Sequence, residues 1–154
     1  PLDGDWRAYE CEVEVTRRSG PGGFNLNLPT SSGDCPVVLG QPNVLGIYLG
    51  RRGGGVILNN DFDWATNQRI TLRLQVHREK LQDQVTVAVN DVVMGTWQGN
   101  LTSIANSSNE GYPHARRISL WVQAGRNELV FHRIRIRTLD GGTAETLRAV
   151  PNVP

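Results

Sequence analysis

The sequence predicts an all-β chain folded as a two-sheet antiparallel sandwich, and three observations carry that expectation. Apolar and polar residues alternate with a period of two, most plainly in Ile70-Thr71-Leu72-Arg73-Leu74-Gln75-Val76, which gives each set its own face of a strand. Clusters of Gly, Pro, Asn and Asp break the alternating segments at intervals of about 8 to 12 residues, as short antiparallel strands require. No segment makes a convincing helix, so about ten strands are left to pack one face each between two sheets and turn the other to water.

In chain order, Tyr9 to Arg17 alternates cleanly. After the Gly20-Pro21-Gly22-Gly23 turn the alternation resumes in Phe24-Asn25-Leu26-Asn27-Leu28. Cys35 precedes the apolar run Pro36-Val37-Val38-Leu39, and Val44 to Leu49 and Val56 to Leu58 flank Arg51-Arg52-Gly53-Gly54-Gly55. Ile70 to Val76 is the clearest strand, and Val85, Val87 and Val89 continue the rule. Asn90-Asp91 then interrupts before Val92 to Trp97. Asn and Asp tolerate the positive φ that a two-residue hairpin turn demands, so a hairpin is predicted here. Gly99 to Arg116 is a polar, irregular excursion. Ile118 to Gln123 and Leu129 to Thr138 form the last two strands, joined by Gly125-Arg126-Asn127. Periodicity ends at Gly141, which divides the chain into a sandwich domain over 1–140 and a linker or tail over 141–154. Opening at Pro1 without Met, the sequence is expected to be a piece of a longer protein.

A formal net charge of +1 gives no field to steer nucleic acid. No apolar run approaches the roughly 18 residues of a membrane helix, so no membrane insertion is expected. Cys11 and Cys35 are the two cysteines; their apolar settings favour buried free thiols over a disulfide. Neither a CxxC motif nor a His–Cys spacing suggests a metal. His77, His114 and His132 are scattered and read as solvated or packed side chains.

The segment Arg117-Ile118-Ser119-Leu120-Trp121-Val122-Gln123-Ala124-Gly125, with Val130-Phe131-His132-Arg133-Ile134-Arg135-Ile136-Arg137, resembles the closing hairpin of concanavalin A-like sandwiches. The likeness is to laminin-G-like modules and to bacterial secreted sugar hydrolases acting on keto-disaccharides. Val85 to Trp97 is similar to the hairpin that precedes it in those proteins, and Tyr9 to Gly20 resembles their first strand. The resemblance covers about half the chain and implies a jelly roll, whose concave face commonly binds glycans. The hydrolase-like families often carry a Gln and a His in the strand that aligns with Trp121 to Ala124. Here those places hold Trp121 and Gln123, which favours binding over catalysis of that type.

Glu10, Glu12 and Glu14 share one strand face, as do Arg133, Arg135 and Arg137 near the other end. In the fold the resemblance implies, first and last strands commonly pair, so the two rows are expected to face each other as a charge ladder. The competing reading is catalytic. Laminarinase-like glycosidases of that fold place carboxylates at alternate strand positions, and residues two apart on a strand lie about 6.5 Å apart, near the separation a retaining mechanism uses.

The expected ligand face is Trp121 with Gln123 and Ser119, because Ile118, Leu120 and Val122 take the core face of their strand. An outward indole can stack on the apolar face of a sugar while amides bond its hydroxyls. Tyr48, Asp61, Asp63 and Trp64 are rim candidates. The oxygen-rich loop also offers calcium a site at Asn59, Asp61 and Asp63; no other cofactor is expected. The expectation is a non-catalytic carbohydrate-binding module for an oligo- or polysaccharide, part of a larger exported or surface protein, bacterial and extracellular or periplasmic. The alternatives are a glycoside or keto-sugar hydrolase of the same fold using Glu10, Glu12 and Glu14, and a structural protein–protein adhesion module.

Overall fold

The computed structural model describes residues 7–29, 34–41, 44–48, 55–59, 61–79, 82–100, 119–122, 127–139 and 145–147. These residues are all-β, as predicted. In chain order the strands are β1 (Ala8–Ser19), β2 (Phe24–Pro29), β3 (Asp34–Gln41), β4 (Val44–Tyr48), β5 (Gly55–Asn59) and β6 (Arg69–Arg78). They continue as β7 (Asp83–Val89), β8 (Val92–Gly99), β9 (Ser119–Val122), β10 (Glu128–Thr138) and β11 (Glu145–Leu147). They make a six-stranded sheet in the order β11-β10-β1-β6-β7-β8 and a five-stranded sheet in the order β5-β4-β3-β2-β9. Every pairing is antiparallel.

One core joins the sheets. Tyr9, Cys11, Val13 and Val15 of β1 and Ile70, Leu72, Leu74 and Val76 of β6 meet Phe24, Leu26 and Leu28 of β2 and Leu45 and Ile47 of β4. Burial of such aliphatic side chains, each stabilising by about 1.5–3 kcal/mol, is what selects the predicted alternation. The Asn90-Asp91 hairpin forms as expected: Asn90 and Asp91 have φ of 49° and 66°, and Val89 pairs with Val92 across the turn.

Three features depart from the sequence reading. First, most of the polar face of β1 is covered. Glu10 is 3% and Glu12 8% exposed, because β1 is an inner strand and arginines of both neighbours lie over it. Second, Glu145–Leu147, within the segment assigned to the linker or tail, pairs with Ile134 to Ile136 as β11. Three residues are too few to display a period. Third, β10 changes phase. Glu14 pairs with Arg133 but Val15 with Phe131, so His132 is an extra residue on that strand. Phe131 and Leu129 pack on the core before this bulge, and Ile134 and Ile136 lie on it afterwards. The excursion over Gly99 to Arg116 lies, beyond Asn100, outside the described residues.

Opposite the chain-end pairing, the two sheets close on each other at edge strands β5 and β8. A Cβ on Gly95 would stand 2.9 Å from Leu58 Cβ, so only glycine lets these strands approach so closely. Asn59 Nδ2 donates to Met94 Sδ at 3.7 Å across the same seam.

Candidate functional site

β1 lies between β10 and β6, and the register sets its glutamates against both. Glu10 faces Arg137 and Gln75, Glu12 faces Arg135 and Arg73, and Glu14 faces Arg133 and Thr71. The expected ladder of first and last strands is therefore present, but the side chains reach diagonally as well as across. Arg133 donates to Glu12 at 2.8 Å and lies 3.5 Å from Glu14. Arg137 Nη2 lies 2.8 Å from Glu10 Oε1. Gln75 Nε2 donates to Glu10 at 2.9 Å.

β6 supplies a second set of cations that the chain-end symmetry did not suggest. Arg73 reaches Glu12 at 3.3 Å, Glu10 at 3.7 Å and Asp91 of the hairpin turn at 2.6 Å. Arg69 donates to Glu14. Its sequence signal was the spacing of Arg69 and Arg73 on the polar face of an otherwise aliphatic strand. The arginine heads stay partly in water while the carboxylates sink beneath them, as long basic side chains permit.

This arrangement bears on chemistry. The hydrogen bond from Arg69 holds the Glu14 carboxyl below its usual range, with the charges of Arg133 and Arg69 acting in the same direction against the cost of desolvation. A glycosidase general acid needs the opposite shift. On the core side of the same strand, burial pushes the Cys11 thiol up to about 12, helped by the nearby charges of Glu10 and Glu12, so it is not a nucleophile at neutral pH. Cys11 is free and buried, in line with the expected free thiol; the Cys35 side chain lies outside the described residues.

The residues expected to bind ligand are dispersed. Trp121 and Ser119 lie on β9 at the edge of the five-stranded sheet, in register with Asn25 and Asn27 of β2. Asn25 and Asn27 alternate with the core residues Phe24, Leu26 and Leu28. Gln123 falls outside the described residues, as do the side chains of Trp121, Ser119 and Tyr48. Tyr48 ends β4 opposite Gly55.

Asp61 and Asp63 sit at the other end of that sheet, beyond β5. The run Asp61-Phe62-Asp63-Trp64 alternates like a strand without belonging to one: Phe62 and Trp64 are buried, and the two aspartates are exposed. Trp64, expected on a ligand rim, is instead a core residue at 2% exposure. It lies edge-on to Phe24 with ring centroids 6.3 Å apart, its Nε1 donates to the Gln68 carbonyl at 3.0 Å, and Arg17 covers its ring at 5.6 Å. With a carbonyl to accept its N–H and an apolar wall beside its ring, the indole is favoured in the core.

Asp61 and Asp63 line a cleft of about 380 Å3 with Phe62, Gln68, Ile70, Val89, Asn90, Val92 and Met94. Of the oxygens proposed for calcium, Asn59 Oδ1 already accepts the Asp61 N–H at 2.8 Å. Among the described residues no group of three or more His, Cys, Asp or Glu is placed to hold a metal. Among them, too, no helix is long and apolar enough to cross a membrane.

No protein-family model matches the chain, and comparison with curated proteins finds no similar one.

Proposed function

We propose that the chain is a non-catalytic carbohydrate-binding module of a larger exported or surface protein, extracellular or periplasmic, with concanavalin A-like jelly-roll topology. The observation that carries this reading is the register of β2 with β9, which pairs Asn25 with Trp121 and Asn27 with Ser119. The alternation of Asn25 with the core residues Phe24 and Leu26 turns its half-buried amide away from the core, beside the position of the tryptophan, whereas Asn27 is buried. An indole and the Asn25 amide together supply what a sugar needs, an apolar platform and directional hydrogen bonds. Calcium is not required for such a contact. The pairing of Glu10, Glu12 and Glu14 with arginines supports binding over the glycosidase alternative.

The adhesion alternative has one observation in its favour. Val92 and Val93 are 60% and 62% exposed on β8, an edge strand that could pair with another protein.

A glycan array probed with the wild-type chain and with Trp121→Ala tests the proposal. Binding to an oligo- or polysaccharide that is lost in the variant is the expected result. Absence of any glycan bound, or binding indifferent to the substitution, would refute it.

A further inference from the structure

We propose that the cleft between the 61–68 loop and the β7–β8 hairpin binds a small organic cation with an apolar body, an aryl- or alkylammonium. It is a separate site from the β2–β9 row: apart from the loop, its lining comes from β6 and the β7–β8 hairpin of the six-stranded sheet.

The cleft is a half-open groove with an apolar floor and an acidic rim. Its volume of about 380 Å3 lies in the usual range for such pockets. Ile70, Val89 and Phe62 are core residues that turn one side to it, Met94 adds a polarizable thioether, and Val92 stands 60% exposed at its mouth. An apolar body gains by displacing water from such a floor.

The rim sets the sign of the charge. Asp61 and Asp63 are exposed, and neither carboxylate has an ion-pair partner among the described residues. This contrasts with the glutamates of β1 and with Asp91 nearby, which Arg73 holds. An anion would be repelled. A neutral apolar guest would strip water from two carboxylates and return no charge to them. An ammonium beside an apolar body compensates both costs.

The acids are also held in place. Phe62 and Trp64 anchor the alternate positions in the core, and Asn59 Oδ1 accepts the Asp61 N–H. Downstream, Gln68 N donates to the Ala65 carbonyl at 3.1 Å and Ala65 N donates to Gln68 Oε1 at 3.0 Å. Little ordering is left for a ligand to impose, which favours affinity. A bare divalent ion would make no use of the apolar floor, and among the described residues no group of three or more His, Cys, Asp or Glu gathers there to hold one.

The test is an amide-resolved NMR titration of the whole chain with phenethylamine, 2-phenylethanol and 3-phenylpropionate, repeated at high salt. Phenethylamine is expected to shift the amides of Asp61, Asp63, Gln68, Asn90 and Met94 and to bind more tightly than the alcohol or the carboxylate. Asp61→Asn and Asp63→Asn should each weaken it by roughly two- to fivefold, and added salt should weaken it further. Both positions are exposed, and an unchanged thermal midpoint will confirm that the variants are folded. Val92→Lys, which tethers an ammonium at the mouth, should exclude the ligand. The proposal is overturned if the three compounds bind alike, if neither the substitutions nor salt change the affinity, if the shifts map elsewhere, or if none saturates. Calcium that saturates the same amides and displaces the amine would also overturn it.

Discussion

Glu10, Glu12 and Glu14 on β1 and Asp61 and Asp63 beyond β5 share the same period of two, with core side chains at the intervening positions. Their surroundings differ. β1 is an inner strand with arginine-bearing neighbours on both sides, so its carboxylates are covered and each meets at least two cationic or amide groups. The aspartates lie in the loop between β5 and β6, where among the described residues no cation pairs with them. An acid row in the middle of a sheet becomes internal counter-charge, whereas the same pattern at a seam stays open to an external one. Location in the sheet, which period alone does not encode, assigns the role.

The largest test of this contrast removes one carboxylate from each region. Glu12→Ala leaves Arg73 and Arg133 without their shared anion. Breaking a buried pair costs about 3–5 kcal/mol, and the partial exposure of these arginines lowers the expected loss to about 2–3 kcal/mol. Asp63→Ala, with no described ion-pair partner, should stay within about 0.5 kcal/mol of wild type. Urea unfolding of the two variants measures both. Equal losses would abolish the distinction between an internal and an open acid row.

Next in size is the hairpin, where strain and charge meet in one residue. Asp91 has a φ of 66° and also binds Arg73. Asp91→Gly keeps the backbone conformation and removes the carboxylate, which is well exposed, so about 0.5 kcal/mol is expected. Asp91→Val adds the cost of a β-branched residue in the left-handed region, about 1–2 kcal/mol more. If the glycine variant loses as much as the valine variant, Arg73 depends on Asp91 far more than its two glutamates imply, and the β1 row is less self-sufficient than its geometry suggests.

Much of this architecture was legible in the sequence. The aliphatic alternation of Ile70 to Val76 located β6, Asn90-Asp91 fixed the hairpin, and the two charge rows, taken with the strand pairing that the resemblance implies, led to the expectation that β1 and β10 are neighbours. The bulge at His132 was not read in advance, although the apolar phase changes from odd to even positions between Phe131 and Ile134. The burial of Glu10 and Glu12 was less accessible, because it depends on Arg73 and Gln75 arriving from β6, a strand separated from β1 in the chain by most of the five-stranded sheet. Trp64 shows the limit for the site. Its acidic neighbours suggested a rim, and only the placement of the Gln68 carbonyl and Phe24 around the indole put it in the core. β11 carried no readable signal in three residues.

A smaller effect than the loss of Glu12 is expected at the end of the glutamate row that is closest to solvent. Glu14 is more exposed than Glu10 or Glu12, and its principal hydrogen bond comes from Arg69, whose side chain is 55% exposed. That bond and the adjacent arginines lower the folded-state pKa of Glu14 below its ordinary value of 4.5. A carboxyl with a depressed folded pKa adds stability above its unfolded pKa and forfeits it as pH falls through the folded value. The contribution is therefore complete at neutral pH and fades as the solution is acidified below about pH 4.5. Arg69→Ala should cost up to about 0.5–1 kcal/mol at pH 7 in low salt, since an exposed partner is well screened. The difference from wild type should shrink as pH falls below that window, and shrink again with added salt. Thermal midpoints of both proteins across this pH range measure it. A difference that persisted unchanged into acid would mean that the Arg69 side chain stabilises β6 through packing, and that the outermost rung of the ladder resembles the open aspartates more than the covered glutamates beside it.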